Sequence, residues 1–401
     1  MTPWLHVIGI GEDGMAGLSA AARTQVEAAE IIIGGDRHHA LAPNVTAERV
    51  AWPSPFDAMV AAIRSYEGRR VVVLVTGDPL WFSVGARLCN PKYGTHIPAK
   101  EIVYHPQLSA FQWAAARMGW SLADVETLTA HGRPAEQVVP AFWPGARLLI
   151  LTAGAQTPGE IAALLSARGF GESRLTVLGA LGGPDEVRIE GTAQDWDAPS
   201  PAFHTLAVEL AGEGRLLPRI PGLPDDAFTH DGTMTKREMR ALTLAKLMPA
   251  RGEMLWDIGC GCGSVSVEWM RTAPDALATG IDIRPERLEM ARANALQLGT
   301  PRLALIEGRV PEALEGLPPP DAVFIGGGLS KAVIATARTA LGKGGRLVAN
   351  AVTLESEGLL SQAHATHGGE LVRITAARAE AVGPYRGWRT GMPVTQWSLL
   401  T

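Results

Sequence analysis

The stretch Leu255–Ser264, LWDIGCGCGS, decides how the second half of the chain folds. An apolar run closes on Asp257 and Ile258, and glycines follow at 259, 261 and 263 before a helical pattern begins. Apolar residues ending in alternate glycines read as a buried strand running into a tight turn. Glycines let the backbone adopt turns that a Cβ forbids, and they let it pass close to a ligand. The helix that follows offers free N–H groups at its start. A glycine triplet alone also fits a plain strand-to-helix turn, so its surroundings must decide.

Outward from this loop, strand and helix alternate. A helix is expected over Thr235–Leu247 and strands over Met254–Ile258, Ala278–Asp282, Leu303–Glu307, Ala322–Ile325 and Arg346–Ala351. That order predicts a parallel, doubly wound sheet. Glu370–Thr375 and Val394–Leu400 lie too close together for another helical crossover and are expected to pair antiparallel at one edge. Asp282 ends the strand after the loop, 25 residues beyond Asp257, in GIDIRPERLEMARANA. A carboxylate there can accept both hydroxyls of a ribose, in S-adenosylmethionine or in a nicotinamide dinucleotide. Two features favour the methyl donor. Ser264 stands where a dinucleotide loop has its third glycine, and Asp257 would repel a pyrophosphate but suits a cationic methionine. The expected donor contacts are therefore Asp257, Gly259, Cys260, Gly261, Cys262, Gly263, Asp282 and Ile283. Cys260 and Cys262 are read as small loop residues, because no second ligand pair lies at zinc-site spacing; no metal is expected.

The bulk properties agree with two soluble domains. The 401 residues exceed one ordinary core, and 46% apolar with 19% charged residues supply material for two. A net charge of -5 without a dense basic run argues against a nucleic-acid partner. Three cysteines make no disulfide framework, which points to a reducing compartment, and the cytoplasm is expected. Trp4–Ile10 shows no signal-peptide pattern, and no apolar run is long enough to span a bilayer.

The first half also alternates strands (Ile31–Ile33, Val71–Val75, Leu148–Leu151, Leu175–Leu178) with Ala/Leu-rich helices, so it too is α/β. LLPRIPGLPDD, from Leu216 to Asp226, holds three prolines and fits neither a helix interior nor a central strand. The expected division is 1–215, a linker over 216–227, and 228–401. Early in the first half stand HVIGIGEDGMAGLS and VLVTGDPLWFSVGARL, in which Gly77, Asp78 and Pro79 are read as ending a strand and opening a helix. HPQLSAFQWAAARMGW follows at His105–Trp120 and LTAHGRP at Leu128–Pro134.

As a set, these segments resemble the tetrapyrrole methylase family over about residues 1–210. The resemblance implies an α/β domain of two subdomains. It implies donor contacts at Gly77, Asp78, Pro79, Ser109 and Ala110, and substrate contacts at Gly9 and Gly11. Gln107 departs from the family, which commonly has glycine there. The second half, with HDGTMTKREMRALTLAKL, the glycine loop, GRVPEAL, FIGGGLS and PVTQW, resembles the decarboxylating precorrin methyltransferases. This second likeness implies a class I Rossmann-like domain with a mostly parallel seven-stranded sheet. It places further donor contacts at Thr235, Gly308, Arg309 and Val310.

The two likenesses together imply methylation of a precorrin-6Y (6B) ring at carbons 5 and 15, with decarboxylation of the ring C acetate. The first domain is expected to act at carbon 5, the second at carbon 15. Related C-terminal domains imply a homo-oligomer, with a tetramer as one form. Two other readings stay open on the residues alone: a two-domain methyltransferase with another substrate, and a donor-sensing protein without turnover.

FIGGGLS lacks the Asn/Asp-Pro-Pro-Tyr motif of amine methyltransferases, so Gly326, Gly327 and Gly328 are read as an open floor for a bulky planar acceptor. Methyl transfer to an already nucleophilic carbon requires alignment more than a strong base. No catalytic acid or base is therefore assigned, His38, His39 and His230 included. A polycarboxylate substrate calls for cations at the pocket mouth, with Arg237, Arg240, Arg309, Lys331, Arg386 and Arg389 as candidates.

Overall fold

The computed structural model describes residues 3–91 and 95–401. The chain divides into two compact units, residues 1–135 with 141–215 and residues 136–140 with 216–401.

The first unit contains two five-stranded sheets. One is wholly parallel, in the order β3-β2-β4-β1-β5, from β1 (Leu5–Ile10), β2 (Ile31–Ile33), β3 (Glu48–Val50), β4 (Val71–Thr76) and β5 (Ile102–His105). Helices α1 (Ala20–Glu27), α2 (Asp36–Leu41), α3 (Met59–Arg64) and α4 (Gly85–Leu88) fall between its strands. Its alternate residues enter two different cores: Leu5, Val7, Val71 and Val73 on one face, Ile8, Ile10, Val72 and Leu74 on the other. A sheet covered on both faces needs unbroken apolar strands, which is why VVVLV carries no polar alternation. Helix α5 (Ala110–Met118) leads to the second sheet, β6-β7-β10-β8-β9, formed by β6 (Glu126–Thr129), β7 (Arg147–Leu151), β8 (Arg174–Gly179), β9 (Val187–Thr192) and β10 (His204–Glu209), with α6 (Thr157–Ser166) between β7 and β8. Only β6 and β7 pair in parallel there.

The second unit opens with α7 (Arg237–Leu247), two residues later than the sequence suggests, followed by β11 (Met254–Ile258), α8 (Ser264–Thr272), β12 (Leu277–Asp282), α9 (Pro285–Gln297), β13 (Ala304–Glu307) and β14 (Ala322–Ile325). It continues through α10 (Lys331–Ala340), β15 (Arg346–Ala351), α11 (Leu354–His367), β16 (Glu370–Ile374), β17 (Ala377–Val382), β18 (Tyr385–Thr390) and β19 (Val394–Leu400). Its main sheet has the order β13-β12-β11-β14-β15-β19-β16, parallel except at β19, which runs antiparallel to both neighbours. The last two strands of this sheet do pair antiparallel, but β19 inserts beside β15 and leaves β16 at the edge. The segment joining them forms its own two-stranded sheet, β17-β18, which the sequence pattern did not reveal.

The proline-rich stretch expected as a linker is built into the second unit. Leu217 and Leu223 pack on its core, and the N–H groups of Gly222 and Leu223 donate to Glu268 at 2.6 and 2.9 Å. Its prolines exclude helix, but its leucines have apolar surface to bury. Arg240 also corrects an expectation. It is fully buried, 2.6 Å from Glu268 and 3.1 Å from Asp225, and donates to the carbonyls of Thr235 and Leu223. With its donors spent inside the fold, it can receive no substrate carboxylate. Breaking a buried pair strands its partner's charge, so Glu268→Ala is expected to destabilise the second unit by about 3–5 kcal/mol. Scanning calorimetry of the full chain checks this as a lowered transition for that unit; an unchanged transition would contradict it.

Candidate active sites

In the second unit a cavity of about 1120 Å³ opens at the carboxyl ends of β11, β12, β14 and β15. Ligands of open α/β sheets bind at this end, where the strand order changes direction between β11 and β14. The glycine loop forms its floor. Gly259 has a φ of +70°, and a Cβ on it would stand 2.6 Å from the backbone of Gly327, so the loops after β11 and β14 touch main chain to main chain. Gly263 rests against Ala291 of α9, taking over the helix-packing place that Ser264 leaves open.

Asp282 lines the cavity. Its Oδ2 accepts from the Gly261 N–H and its Oδ1 from the Arg284 N–H, each at 3.0 Å. Each oxygen retains capacity for a further donor. Ile283, Thr235, Gly259, Cys260, Gly261, Cys262, Gly308, Arg309, Val310 and Gly326–Gly328 also lie in the wall, so the residues named from sequence converge on one space. Burial is the main factor raising the Cys260 and Cys262 thiols above their ordinary range, so both are neutral at physiological pH.

Asp257 and Gly263 fall outside the wall. Asp257 lies behind the loop, where its Oδ2 accepts from the N–H and hydroxyl of Ser266 at 3.0 and 2.6 Å. Its Oδ1 is buried without a partner, and burial above all pushes its carboxyl up to about 6. The expected direct contact with a cationic methionine is thus corrected: the side chain is turned into the start of α8. Val310 leads through Pro311 into one 3-10 turn, Glu312–Leu314.

Of the cations proposed from sequence, Arg309 and Arg389 line the cavity, whereas Arg237, Lys331 and Arg386 do not. Sequence reasoning missed Lys236, Arg284, Arg287 and Arg378. Arg284 and Arg287 follow Asp282 in the quoted turn, which was a usable signal. Both reach Asp231, at 3.4 and 2.8 Å. The N–H of Thr233 and the guanidinium of Arg287 hold that carboxyl below its ordinary range. Arg378 pairs with Glu238 at 2.7 Å and Asp225 at 3.1 Å, and Arg389 with Glu380 at 2.9 Å.

In the first unit the family-like segments meet at the carboxyl ends of β1 and β4. A Cβ on Gly9 would fall 1.8 Å from the Gly77 carbonyl oxygen and 2.9 Å from Gln107 Cβ, and one on Gly77 would fall 2.8 Å from Ser109 Cα. Gly11, Gly77 and Ala110 line a small cleft here; Gly9, Asp78, Pro79 and Ser109 are not part of its wall. Asp78 does not start a helix. Its Oδ1 accepts from the Leu80 N–H at 2.7 Å in a local turn, and the next helix begins only at Gly85. Ser109 caps α5 through the Phe111 N–H, and Gln107 donates to the Gly17 carbonyl at 2.6 Å.

The cleft also holds a polar group that sequence reasoning did not identify. Arg37 donates to Glu12 at 2.7 Å and to Thr76 Oγ1 at 3.0 Å. His38 Nδ1 accepts from the Gly35 N–H, and its Nε2 meets Thr76 Oγ1 at 3.1 Å. Burial, assisted by Arg37, pushes His38 down to about 4, so it stays neutral. Glu12 adjoined a quoted glycine and could have been found; Arg37 carried no local signal.

Comparison with known proteins matches residues 4–197 to the family described as Tetrapyrrole (Corrin/Porphyrin) Methylases and residues 226–401 to the Precorrin methyltransferase domain. A Precorrin-6Y C(5,15)-methyltransferase [decarboxylating] of a Sinorhizobium species is 46% identical over 99% of this chain and 96% of its own. The protein of the same name from Mycobacterium tuberculosis H37Rv is 37% identical over 98% of both. The crystal structure of the C-terminal domain of precorrin-6Y C5,15-methyltransferase from Rhodobacter capsulatus shares 51% identity over 46% of this chain and 100% of that one, with a TM-score of 0.44. With both halves matched in order and relatives similar from end to end, the chain belongs to the decarboxylating precorrin-6Y C(5,15)-methyltransferase family.

Proposed function

We propose that the chain is a bifunctional S-adenosylmethionine-dependent C-methyltransferase. It methylates precorrin-6Y (6B) at carbons 5 and 15 and decarboxylates the ring C acetate to give precorrin-8x in cobalamin biosynthesis. The cavity over the glycine loop, with Asp282 at its rim, carries this reading for the second unit, and end-to-end likeness to the relatives extends it to the whole chain. We assign carbon 5 to residues 1–215, and carbon 15 with the decarboxylation to residues 228–401. Among the described residues no helix is long and apolar enough to cross a membrane.

Bound S-adenosylmethionine would supply an electrophilic methyl group. The chain's task is to align and to exclude water. Asp282 would accept the ribose hydroxyls, the Gly259–Gly263 loop would pass beneath the donor, and Gly308–Val310 would flank its adenine. Gly326–Gly328 leave the acceptor side unobstructed. Arg309 and Lys236, which among the described residues form no ion pair, are the cations available to a substrate carboxylate; Arg284, Arg287, Arg378 and Arg389 already have acidic partners. In the first unit Gly11, Gly77 and Ala110 would face the donor or its acceptor. The test is incubation of the full chain with precorrin-6B and methyl-labelled donor. A product with two new methyl groups and released carbon dioxide supports the reading; donor binding without turnover overturns it in favour of a sensor.

Asp257 makes the second site's donor affinity depend on pH. A cation bound near a carboxyl favours its ionised form, so donor binding releases a proton while Asp257 is protonated. Affinity is expected to rise with pH up to about 6, by at most about tenfold per unit, and then to level off. Titration calorimetry in a chain disabled at the first site measures this. Asp257→Asn should flatten the rise, and a flat profile in the parent chain would contradict it.

A further inference from the structure

One side chain in the cavity of the second unit belongs to a buried polar network that the mechanism above does not use. Asn350, next to the last residue of β15, lies in the cavity wall. Behind it stand Thr243 of α7 and Gln396 of β19, at 0% and 1% exposure. Asn350 Nδ2 donates to Thr243 Oγ1 at 3.0 Å. Gln396 Nε2 donates to Thr243 Oγ1 at 3.2 Å and to Asn350 Oδ1 at 2.9 Å. Polar groups buried to this degree are costly unless bonded. Here they bond to one another, and the bonds hold the Asn350 amide in place. One N–H of Nδ2 and one lone pair of Oδ1 are left over by this arrangement.

Strand order gives the position its meaning. Asp282 ends β12, and β15 lies three strands away across β11 and β14, roughly 14 Å at ordinary strand spacing. The loops after β11 and β14, in contact through Gly259 and Gly327, lie between the two side chains. Asn350 is therefore on the acceptor side of the cavity, next to the Gly326–Gly328 floor and far from the ribose end.

We propose that Asn350 binds the methyl acceptor by donating its remaining Nδ2 hydrogen to a carboxylate of the ring, with Thr243 and Gln396 acting as positioning residues that hold the amide. This rests on the function proposed above and names the group that orients the acceptor in that same site. A neutral amide suits the task because it orients an anion without the strong, less directional pull of a point charge. Arg309 and Lys236 attract the ring; Asn350 sets its angle.

The test uses the full chain, with methylation at carbon 5 as the internal control for substrate quality. In Asn350→Ala, the KM for the ring at the carbon 15 step is expected to rise about tenfold or more, the worth of one hydrogen bond to a charged group, with donor affinity at the second site within about twofold of the parent. Asn350→Asp keeps the shape and the bond from Gln396 but places an anion against the ring's carboxylates, so its KM should rise further. Thr243→Val and Gln396→Leu should show smaller increases in the same parameter. Unchanged ring KM in Asn350→Ala, or a loss confined to donor affinity, overturns the proposal while leaving the function standing. A parent chain that neither methylates nor decarboxylates the ring overturns both.

Discussion

Asp282→Ala is expected to weaken donor binding to the second unit by about a hundredfold or more and to leave methylation at carbon 5 intact. Two costs combine. Each ribose hydroxyl would lose a hydrogen bond to a charged acceptor, worth about 1.5–3 kcal/mol apiece. The Gly261 and Arg284 N–H groups, each 3.0 Å from this carboxylate, would lose the acceptor that shapes the loop. Asp282→Asn separates the costs in part, because its amide keeps one oxygen while presenting N–H to one of those backbone donors. It should fall between parent and alanine. Calorimetry of the full chain should show donor stoichiometry dropping from two to one, and mass spectrometry a ring with one new methyl and its acetate retained. Loss of both methylations together would contradict two independent sites.

The site of the second unit was legible because its signals are local. Within LWDIGCGCGS, the strand, the turn and the start of α8 each follow from adjacent residues, and β11 begins and ends at the expected residues. Asp282 stood out for the same reason, as an acid closing an apolar run, and it lies in the cavity wall. What escaped detection depends on distant partners. Arg240 is indistinguishable in composition from a surface arginine, yet Arg240, Thr243, Leu244 and Leu247 form a stripe at helical spacing, and that register placed it inward. The acid expected at Asp257 is present at the end of β11, but its direction was set by Ser266, nine residues on. Asp78 shows the limit of local chemistry. A side chain that accepts from the N–H two residues ahead serves a helix cap and an isolated turn equally well.

The β17-β18 sheet was missed for a different reason. Residues 377–382 are exposed throughout, and of 385–390 only Gly387 is half-buried. With neither face buried, no apolar alternation is written into the sequence. The surviving signal was the turn pair Gly383-Pro384, with Gly383 at a φ of +59°; the run before it, ARAEAV, has helix-forming rather than strand-forming composition. The inner ends of these strands matter to the site all the same, since Arg378, Glu380, Arg389 and Thr390 line the cavity.

The first unit yields the complementary expectation. Gly9→Ala should reduce methylation at carbon 5 to about 1% of the parent or less, with carbon 15 methylation and decarboxylation retained. The added Cβ would sit 1.8 Å from the Gly77 carbonyl oxygen, well inside van der Waals contact, so backbone must move. Gly9 itself has little room to retreat, because it lies in β1 opposite Val75 of β4, one residue beyond the last β1–β5 pair, Ile8 with His105. The strain therefore falls on the Gly77 turn and, through Gln107 and Ser109, on the start of α5. Overpacking of this kind costs typically about 1–3 kcal/mol, which a two-sheet core can survive. Alignment is less forgiving, since a shift of about 1 Å at a reacting centre can cost about a hundredfold in rate. The variant should thus fold, bind one donor instead of two, and give a ring methylated at carbon 15 only. Mixed in solution, Gly9→Ala and Asp282→Ala chains should together yield the doubly methylated, decarboxylated ring, since each keeps the site the other lacks. A mixture that fails to do so would show that one substitution damages both units, and the assignment of one methylation to each would fall.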